Sequence, residues 1–285
     1  MLGHLWRITK NQIMIKQYGI SSIKDKLSDL DKHIENVKRK GFTILNKVLD
    51  ETTLNNIRHS LDENYRSQED EFGLENMIAI NEKDLLRCPL LYDDLFLKLI
   101  TNKLVLDIVK SLLGNEVLLH LQNGVINRPD KVHHQSSWHR DLPYQEYIIS
   151  KPLGISVFYC IDEFNSQTGS TILLPYSHKE EKMPSQDFIS ENEYQIQARP
   201  GDIVIFDCMV YHRAGYNSSS IIRRGINNVF VAPFLKQQIN LPKILNGKYS
   251  DDELLNSLLG YKYDVPESVL DYRKNRMLRK NKNNE

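Results

Sequence analysis

The sequence predicts a mainly β protein with flanking helices, in which a helical N-terminal layer precedes an antiparallel barrel or sandwich. Three observations carry this. Up to Gly114 the apolar residues recur every three to four positions, the period of a helix face. After Gly114 they alternate with polar ones, the period of a strand. The connections in that second stretch carry turn residues, as in Asn165-Ser166-Gln167-Thr168-Gly169, Arg199-Pro200-Gly201-Asp202 and Gly215-Tyr216-Asn217-Ser218.

Taken in order, Leu27, Leu30, Ile34 and Val37 mark a first helix that Gly41 would stop, and residues 41–45 form a short strand candidate. Asp50 can cap a second helix with Leu54, Ile57, Leu61 and Tyr65 on one stripe. A third runs over about 102–113, with Leu104, Ile108 and Leu112 toward the core and Gly114 as terminator. Strand candidates then follow at 117–122, 153–161, 170–174, 194–198, 202–206 and 223–231. Closure into a barrel or sandwich would hide their edges. Near the C-terminus, Ser250-Asp251-Asp252-Glu253 reads as a capping box opening a helix with Leu254, Leu255, Leu258 and Leu259, stopped by Gly260.

No repeat, Gly/Ser linker or low-complexity block divides the chain, so its 285 residues are read as one domain. Its parts are an N-terminal extension (1–30), a helical layer (31–114), a catalytic core (115–235), a C-terminal helical segment (236–270) and a basic, disordered tail (271–285). Lysine plus arginine and aspartate plus glutamate number 37 each, so no global field draws the chain to nucleic acid or an anionic membrane. Cys88, Cys160 and Cys208 are too few and too widely spaced for a disulfide framework or a structural zinc site. With no signal-peptide core and no transmembrane run, the expectation is a cytoplasmic protein acting on a small molecule, as a monomer or homodimer.

The chemistry concentrates in two places. His139 and Asp141 stand two residues apart, and in a strand such positions share a face. His212 arrives 73 residues later, after the apolar run Ile203-Val204-Ile205-Phe206. Two imidazoles and one carboxylate hold iron(II) on one side and leave the other positions open for oxygen chemistry, and they lack the thiolates that favour zinc or iron–sulfur clusters. Arg223, 11 residues after His212, can bind a co-substrate carboxylate through a bidentate fork. Arg224 is its rival and would point to the opposite face. Gln122 and Asn127 are candidate donors to the co-substrate, with ordinary strand roles as the alternative. His133 and His134, being adjacent, are expected to point to opposite faces of a polar loop. Cys208 reads as a small buried side chain.

The ordered motifs also resemble a known family. They are Gly41-Phe42-Thr43-Ile44-Leu45, Trp138-His139-Arg140-Asp141, the stretch from Gln167 through Pro175-Tyr176-Ser177-His178, Pro200-Gly201-Asp202 with its apolar strand, His212-Arg213-Ala214-Gly215, and Arg223-Arg224-Gly225. Together, over roughly residues 30–235, the chain resembles the phytanoyl-CoA dioxygenase (PhyH) family of iron(II)- and 2-oxoglutarate-dependent oxygenases. The resemblance implies a double-stranded β-helix, a cupin-like jelly-roll. It implies Fe(2+), 2-oxoglutarate and O2 as cofactor and co-substrates, with His139, Asp141 and His212 as metal ligands and Arg223 on the distal carboxylate of 2-oxoglutarate.

Phe158 falls where the family often carries an aromatic residue, frequently tryptophan, against the co-substrate; plain barrel packing is its alternative. His178 matches a recurrent turn that it would hold by hydrogen bonds. The implied reaction hydroxylates a C–H bond and releases succinate and CO2, and Asp141 argues against halogenation because related halogenases lack that carboxylate. Tyr144 and Gln145 are candidate contacts at the pocket mouth, and the polar insertion 179–193 is long enough for a lid. The competing readings are a non-oxidative cupin-like isomerase or lyase, and a silent binding barrel; neither needs Arg223. A zinc hydrolase ranks lowest, since no HExxH is present.

Overall fold

The computed structural model describes residues 26–143 and 145–282. Most of the expected N-terminal extension, and Tyr144, lie outside the described residues. Helix α1 (Asp29–Lys40) begins where the Ser28 hydroxyl accepts from the Asp31 amide and ends at Gly41. That glycine has a left-handed φ of 92°, and a Cβ there would come within 2.5 Å of Val210. Strand β1 (Phe42–Leu45) leads to α2 (Glu51–Phe72), capped as expected by Asp50. Then come α3 (Leu74–Ala79), β2 (Leu85–Arg87), α4 (Leu97–Ile100) and α5 (Lys103–Leu113), the last capped by Asn102. The strand-rich half holds β3 (Leu118–Asn127), β4 (Gly154–Cys160), β5 (Thr171–Leu173), α6 (Gln186–Asn192) and β6 (Tyr194–Gln195). It continues with β7 (Ile203–Asp207), β8 (His212–Ala214) and β9 (Arg223–Val231). Helices α7 (Leu241–Leu245), α8 (Glu253–Leu258) and α9 (Val269–Lys282) close the described chain.

The strands form two antiparallel sheets, one in the order β1-β7-β4-β9-β3-β2 and one in the order β6-β5-β8. This is the double-stranded β-helix with a helical layer. The large sheet is buried on both faces, so its strands read as apolar runs with few alternations. Ile155, Val157, Tyr159, Ile203, Ile205, Ile226 and Phe230 pack outward against Val37, Leu54, Ile57, Leu61 and the α5 residues Val105, Ile108 and Val109. Phe158, Cys160, Val204, Phe206 and Val125 face inward with Phe164, Leu173 and Ile196. The period of two thus sorts each strand between a helix-facing and a cavity-facing set.

Several sequence expectations are corrected. Leu104 is exposed, because the buried face of α5 is turned to take Val105, Leu106, Ile108, Val109 and Leu112. The cap of α8 is Asp252, which accepts from the Leu255 amide, so Ser250 lies two residues too early. The tail expected to be disordered continues as α9 to Lys282, with polar residues on most of its surface. Strand β2 was not anticipated; three residues joined to β3 by main-chain bonds leave too short a period to read. The three cysteines are buried and free, and Cys208 has the buried place expected of it. No helix of the described residues is long and apolar enough to cross a membrane.

Candidate active site

His139 and His212 are held side by side by their own backbones. The His139 amide donates to the His212 carbonyl and the His212 amide to the His139 carbonyl, each at 3.0 Å. Two residues on, the Asp141 amide donates to Cys208 O at 3.1 Å, which keeps the 139–141 segment beside the loop between β7 and β8. One ligand atom from each of His139, Asp141 and His212 falls within a common 4.8 Å, the compactness a single metal ion requires.

The protonation pattern fits that use. Nδ1 of His139 lies 2.8 Å from Ser137 O and Nδ1 of His212 lies 3.0 Å from Val210 O. A carbonyl only accepts, so both Nδ1 atoms carry a proton and Nε2 is the atom each ring turns toward a metal. Burial, with a smaller push from His212, lowers His139 to about 4. Burial alone would also lower His212, but the charge and hydrogen bond of Asp141 outweigh it and raise it. Burial would raise Asp141; His212 and the hydrogen bonds from His212 and Ser156 hold it at about 2. The carboxylate is therefore charged, with a neutral His139 on one side and on the other His212, whose hold on a proton Asp141 strengthens.

Arg223 opens β9 on the cavity side, opposite Asn127 of β3. It is 1% exposed, forms no salt bridge among the described residues, and rests over the Phe164 ring at 4.7 Å. Burial lowers its pKa to about 10, yet it remains a cation near neutrality. Arg224 behaves as its strand position requires and turns to the helix side. There it pairs with Asp62 of α2 and with Asp162, both at 2.8–2.9 Å. Phe158 lines the cavity beside Asn227, and a Cβ on Gly225 would come within 2.8 Å of its ring. The cavity measures about 190 Å³ and joins His139, Asp141 and His212 to Arg223 past Phe158 and Thr171.

Gln122 does not belong to this cavity. It faces the helix layer, where its side chain accepts from the Leu90 amide and donates to Phe96 O and Asn228 Oδ1. Its neighbours Leu121 and Asn123 are the ones that line the cavity, one step out of phase with the expectation. Asn127 is spent on Gly169 O and Gly215 O, the ordinary alternative. His133 and His134 do not diverge; their rings stack at 4.3 Å in a tight turn. His178 holds more than its own turn, reaching Lys38 O of α1 at 3.2 Å. Gln145 bonds back to Arg140 O and Leu142 O instead of facing the cavity, and the 179–193 insertion contains α6, anchored by buried Ile189.

Two residues that the sequence reading passed over stand directly behind the ligands. Ser156 donates to Asp141 Oδ2; its position two before Phe158 on one strand was the available signal. Arg140, the residue between the ligands, sends its guanidinium to the carbonyls of Gln145, Ser177, Glu180 and Glu181 and lies over the Tyr211 ring at 3.9 Å.

A family model described as phytanoyl-CoA dioxygenase (PhyH) matches residues 37–225, which span the helical layer, all three ligand candidates and Arg223. The chain belongs to this family. An uncharacterized protein of Mycobacterium tuberculosis is 33% identical over 217 residues, covering 72% of this chain and 76% of its own. Dioxygenase af480 of Aspergillus fumigatus is 28% identical over 179 residues, 57% of this chain and 55% of its own. Among solved structures, the epimerase SnoN in complex with Fe3+, alpha ketoglutarate and nogalamycin RO matches with a TM-score of 0.54 at 14% identity, over 72% of this chain and 84% of that one. At that identity the likeness speaks to the fold, the jelly-roll of this PhyH chain. Family membership and the His139–Asp141–His212 cluster together support an oxygenase of the 2-oxoglutarate-dependent class or a closely related enzyme.

Proposed function

We propose that this chain is an iron(II)- and 2-oxoglutarate-dependent dioxygenase that hydroxylates a C–H bond of a small molecule, with release of succinate and CO2. One observation carries the reading. A buried arginine without an acidic partner shares a single cavity with two imidazole Nε2 atoms and a charged carboxylate. A metal barrel with non-oxidative chemistry has no use for that cation, whereas a chelating 2-oxo diacid needs it.

Iron with 2-oxoglutarate, when bound, supplies the activation of O2 and the oxidising equivalents. The chain's own residues prepare for this. His139 and His212 present Nε2 with their rings fixed by Ser137 O and Val210 O, and Asp141 presents Oδ1. Asp141 also occupies the place a halide would need. Arg223 orients the distal carboxylate at the deep end, and Phe158 keeps the co-substrate's apolar methylenes dry. Leu121, Asn123, Gln135 and Gln238 line the side left for the substrate.

The test is anaerobic reconstitution with iron(II), then 2-oxoglutarate. A visible metal-to-ligand charge-transfer band is expected, and it should vanish in Asp141→Ala. Metal-loaded protein that gives no band would rule the reading out.

A further inference from the structure

Two surfaces far from the cavity are left without a partner among the described residues, and they are opposite in charge. The first is the corner where α2 runs into α3. From 69 to 80 the chain carries Glu69, Asp70, Glu71 and Glu75 and no lysine or arginine. Three of these carboxylates close α2, whose last turn has no basic residue, so they stand at the negative end of its dipole. None of the four forms a salt bridge among the described residues. Among them Phe72, Ile78 and Ile80 are half exposed or more. Leu74 and Ile78, four residues apart, share the outer face of α3, while Met77 takes the inner one.

The second surface is α9. The Ser268 hydroxyl accepts from the Asp271 amide to open it, yet none of its described side chains is buried. From 272 to 280 the chain carries Arg273, Lys274, Arg276 and Lys280 and no acidic residue, and none of these four forms a salt bridge among the described residues. Leu270, Met277 and Leu278 recur at helical spacing along one side, and all three are exposed. A helix of 14 residues is marginal in water unless it buries such a side.

The whole chain balances 37 basic against 37 acidic residues, so the cationic excess of α9 is offset by an anionic excess on the remainder. That remainder opposes a polyanion, whether nucleic acid or an acidic bilayer, as it approaches α9. A second copy brings instead an acidic corner of the right sign and apolar side chains to cover the stripe.

We propose that α9 of one copy docks on the α2–α3 corner of a second copy, and that the exchange is reciprocal. Arg273, Lys274 and Arg276 meet the carboxylates that end α2, and Leu270, Met277 and Leu278 cover Phe72, Leu74 and Ile78. Two identical contacts close a two-fold dimer and leave neither surface free to extend a filament.

The test is the mass of the full chain in solution, measured by sedimentation velocity over a range of concentrations. A dimer is expected at about 100 mM sodium chloride, with a dissociation constant at least about tenfold higher at about 500 mM. One variant reverses the helix (Arg273→Glu, Lys274→Glu, Arg276→Glu) and another reverses the corner (Glu69→Lys, Asp70→Lys, Glu71→Lys). Each alone should be monomeric. An equimolar mixture of the two should recover a dimer, because both contacts between unlike copies are again complementary. That recovery also shows that both variants are folded. Wild type that stays monomeric up to about 0.1 mM would overturn the proposal. So would a dimer that either reversal leaves intact, or a mixture that stays monomeric.

Discussion

Ser156 donates its hydroxyl proton to Asp141 Oδ2, the carboxylate oxygen turned away from His212, while Oδ1 stands 3.3 Å from His212 Nε2. One oxygen is thus held by the large sheet and the other is aimed at the ligand cluster. Groups behind metal ligands that fix their orientation are worth about 10–100-fold in metal affinity. Ser156→Ala is expected to weaken iron(II) binding by about tenfold without altering the fold. An anaerobic titration of metal-free protein measures this, with the far-ultraviolet circular dichroism spectrum as control.

Acidity should act through the same cluster. Asp141 raises His212 above its ordinary 6.5, so in metal-free protein His212 holds a proton that iron must expel from Nε2. Iron affinity is then expected to rise with pH while pH lies below the raised value, and to level off above it. Below about 4, protonation of His139 adds a second step. The stability of the metal-free protein runs the other way. The His212 contribution is complete below 6.5 and is lost as pH rises through the raised folded value. The Asp141 contribution is present above 3.8 and is lost only as pH falls through about 2. Calorimetric titration of iron(II) in buffers of different ionisation enthalpy should show proton release at about pH 6 that falls away as pH rises through the raised His212 value. Release that stays constant while iron affinity levels off would count against the His212–Asp141 coupling.

Adjacent arginines should separate two functions. Arg223→Ala is expected to weaken 2-oxoglutarate by at least about a hundredfold while iron is kept, because it removes a buried cation that has no salt bridge among the described residues. Arg224→Ala leaves Asp162 and Asp62 short of a partner and should cost about 1–3 kcal/mol of folding stability with co-substrate affinity unchanged. Chemical denaturation and the charge-transfer titration, run on both variants, check the pair. Weaker co-substrate binding in Arg224→Ala alone would place the register one residue off.

How far the sequence spoke depends on the range of the contact. The arginine face could be read because one strand of nine residues keeps a period of two. The ligand pair His139 and Asp141 could be read for the same reason, although their segment carries only one isolated bridge to His212. Gln122 went wrong because β3 is buried on both faces, so polarity did not reveal which side met the cavity. Its register shift between Leu119 and Leu121 removes the remaining guide. Ser156 depends on a partner 15 residues away and Arg140, besides nearby Gln145, on carbonyls 37 to 41 residues away, which no local pattern encodes.

Gln122 gives a prediction of its own. With two hydrogen bonds to the helical layer, one to Asn228 of β9 and no exposure, it is a strut between β3 and the segment 90–96. Gln122→Leu strands the Leu90 amide and the Asn228 side-chain oxygen Oδ1, and should cost about 2–4 kcal/mol of stability. The affinity for 2-oxoglutarate should stay within about twofold of wild type. Loss of affinity without loss of stability would restore Gln122 to the cavity.

Arg140 couples the ligand segment to the polar insertion. It is buried, and its donors reach Gln145 O beside the ligands and Ser177 O, Glu180 O and Glu181 O at the start of the insertion. The Tyr211 ring beneath it immediately precedes His212. A lysine keeps the charge but not the planar fork, so it can satisfy at most some of these carbonyls. Arg140→Lys should therefore loosen residues 177–185 more than it disturbs the iron ligands. Hydrogen exchange should quicken there by about tenfold or more, while iron affinity changes by less than about threefold. If iron affinity fell as far as in Ser156→Ala with exchange unchanged, Arg140 would be a brace for the ligands alone. The insertion would then have to be held in place by Ile189 and the contact of Arg213 with Glu193.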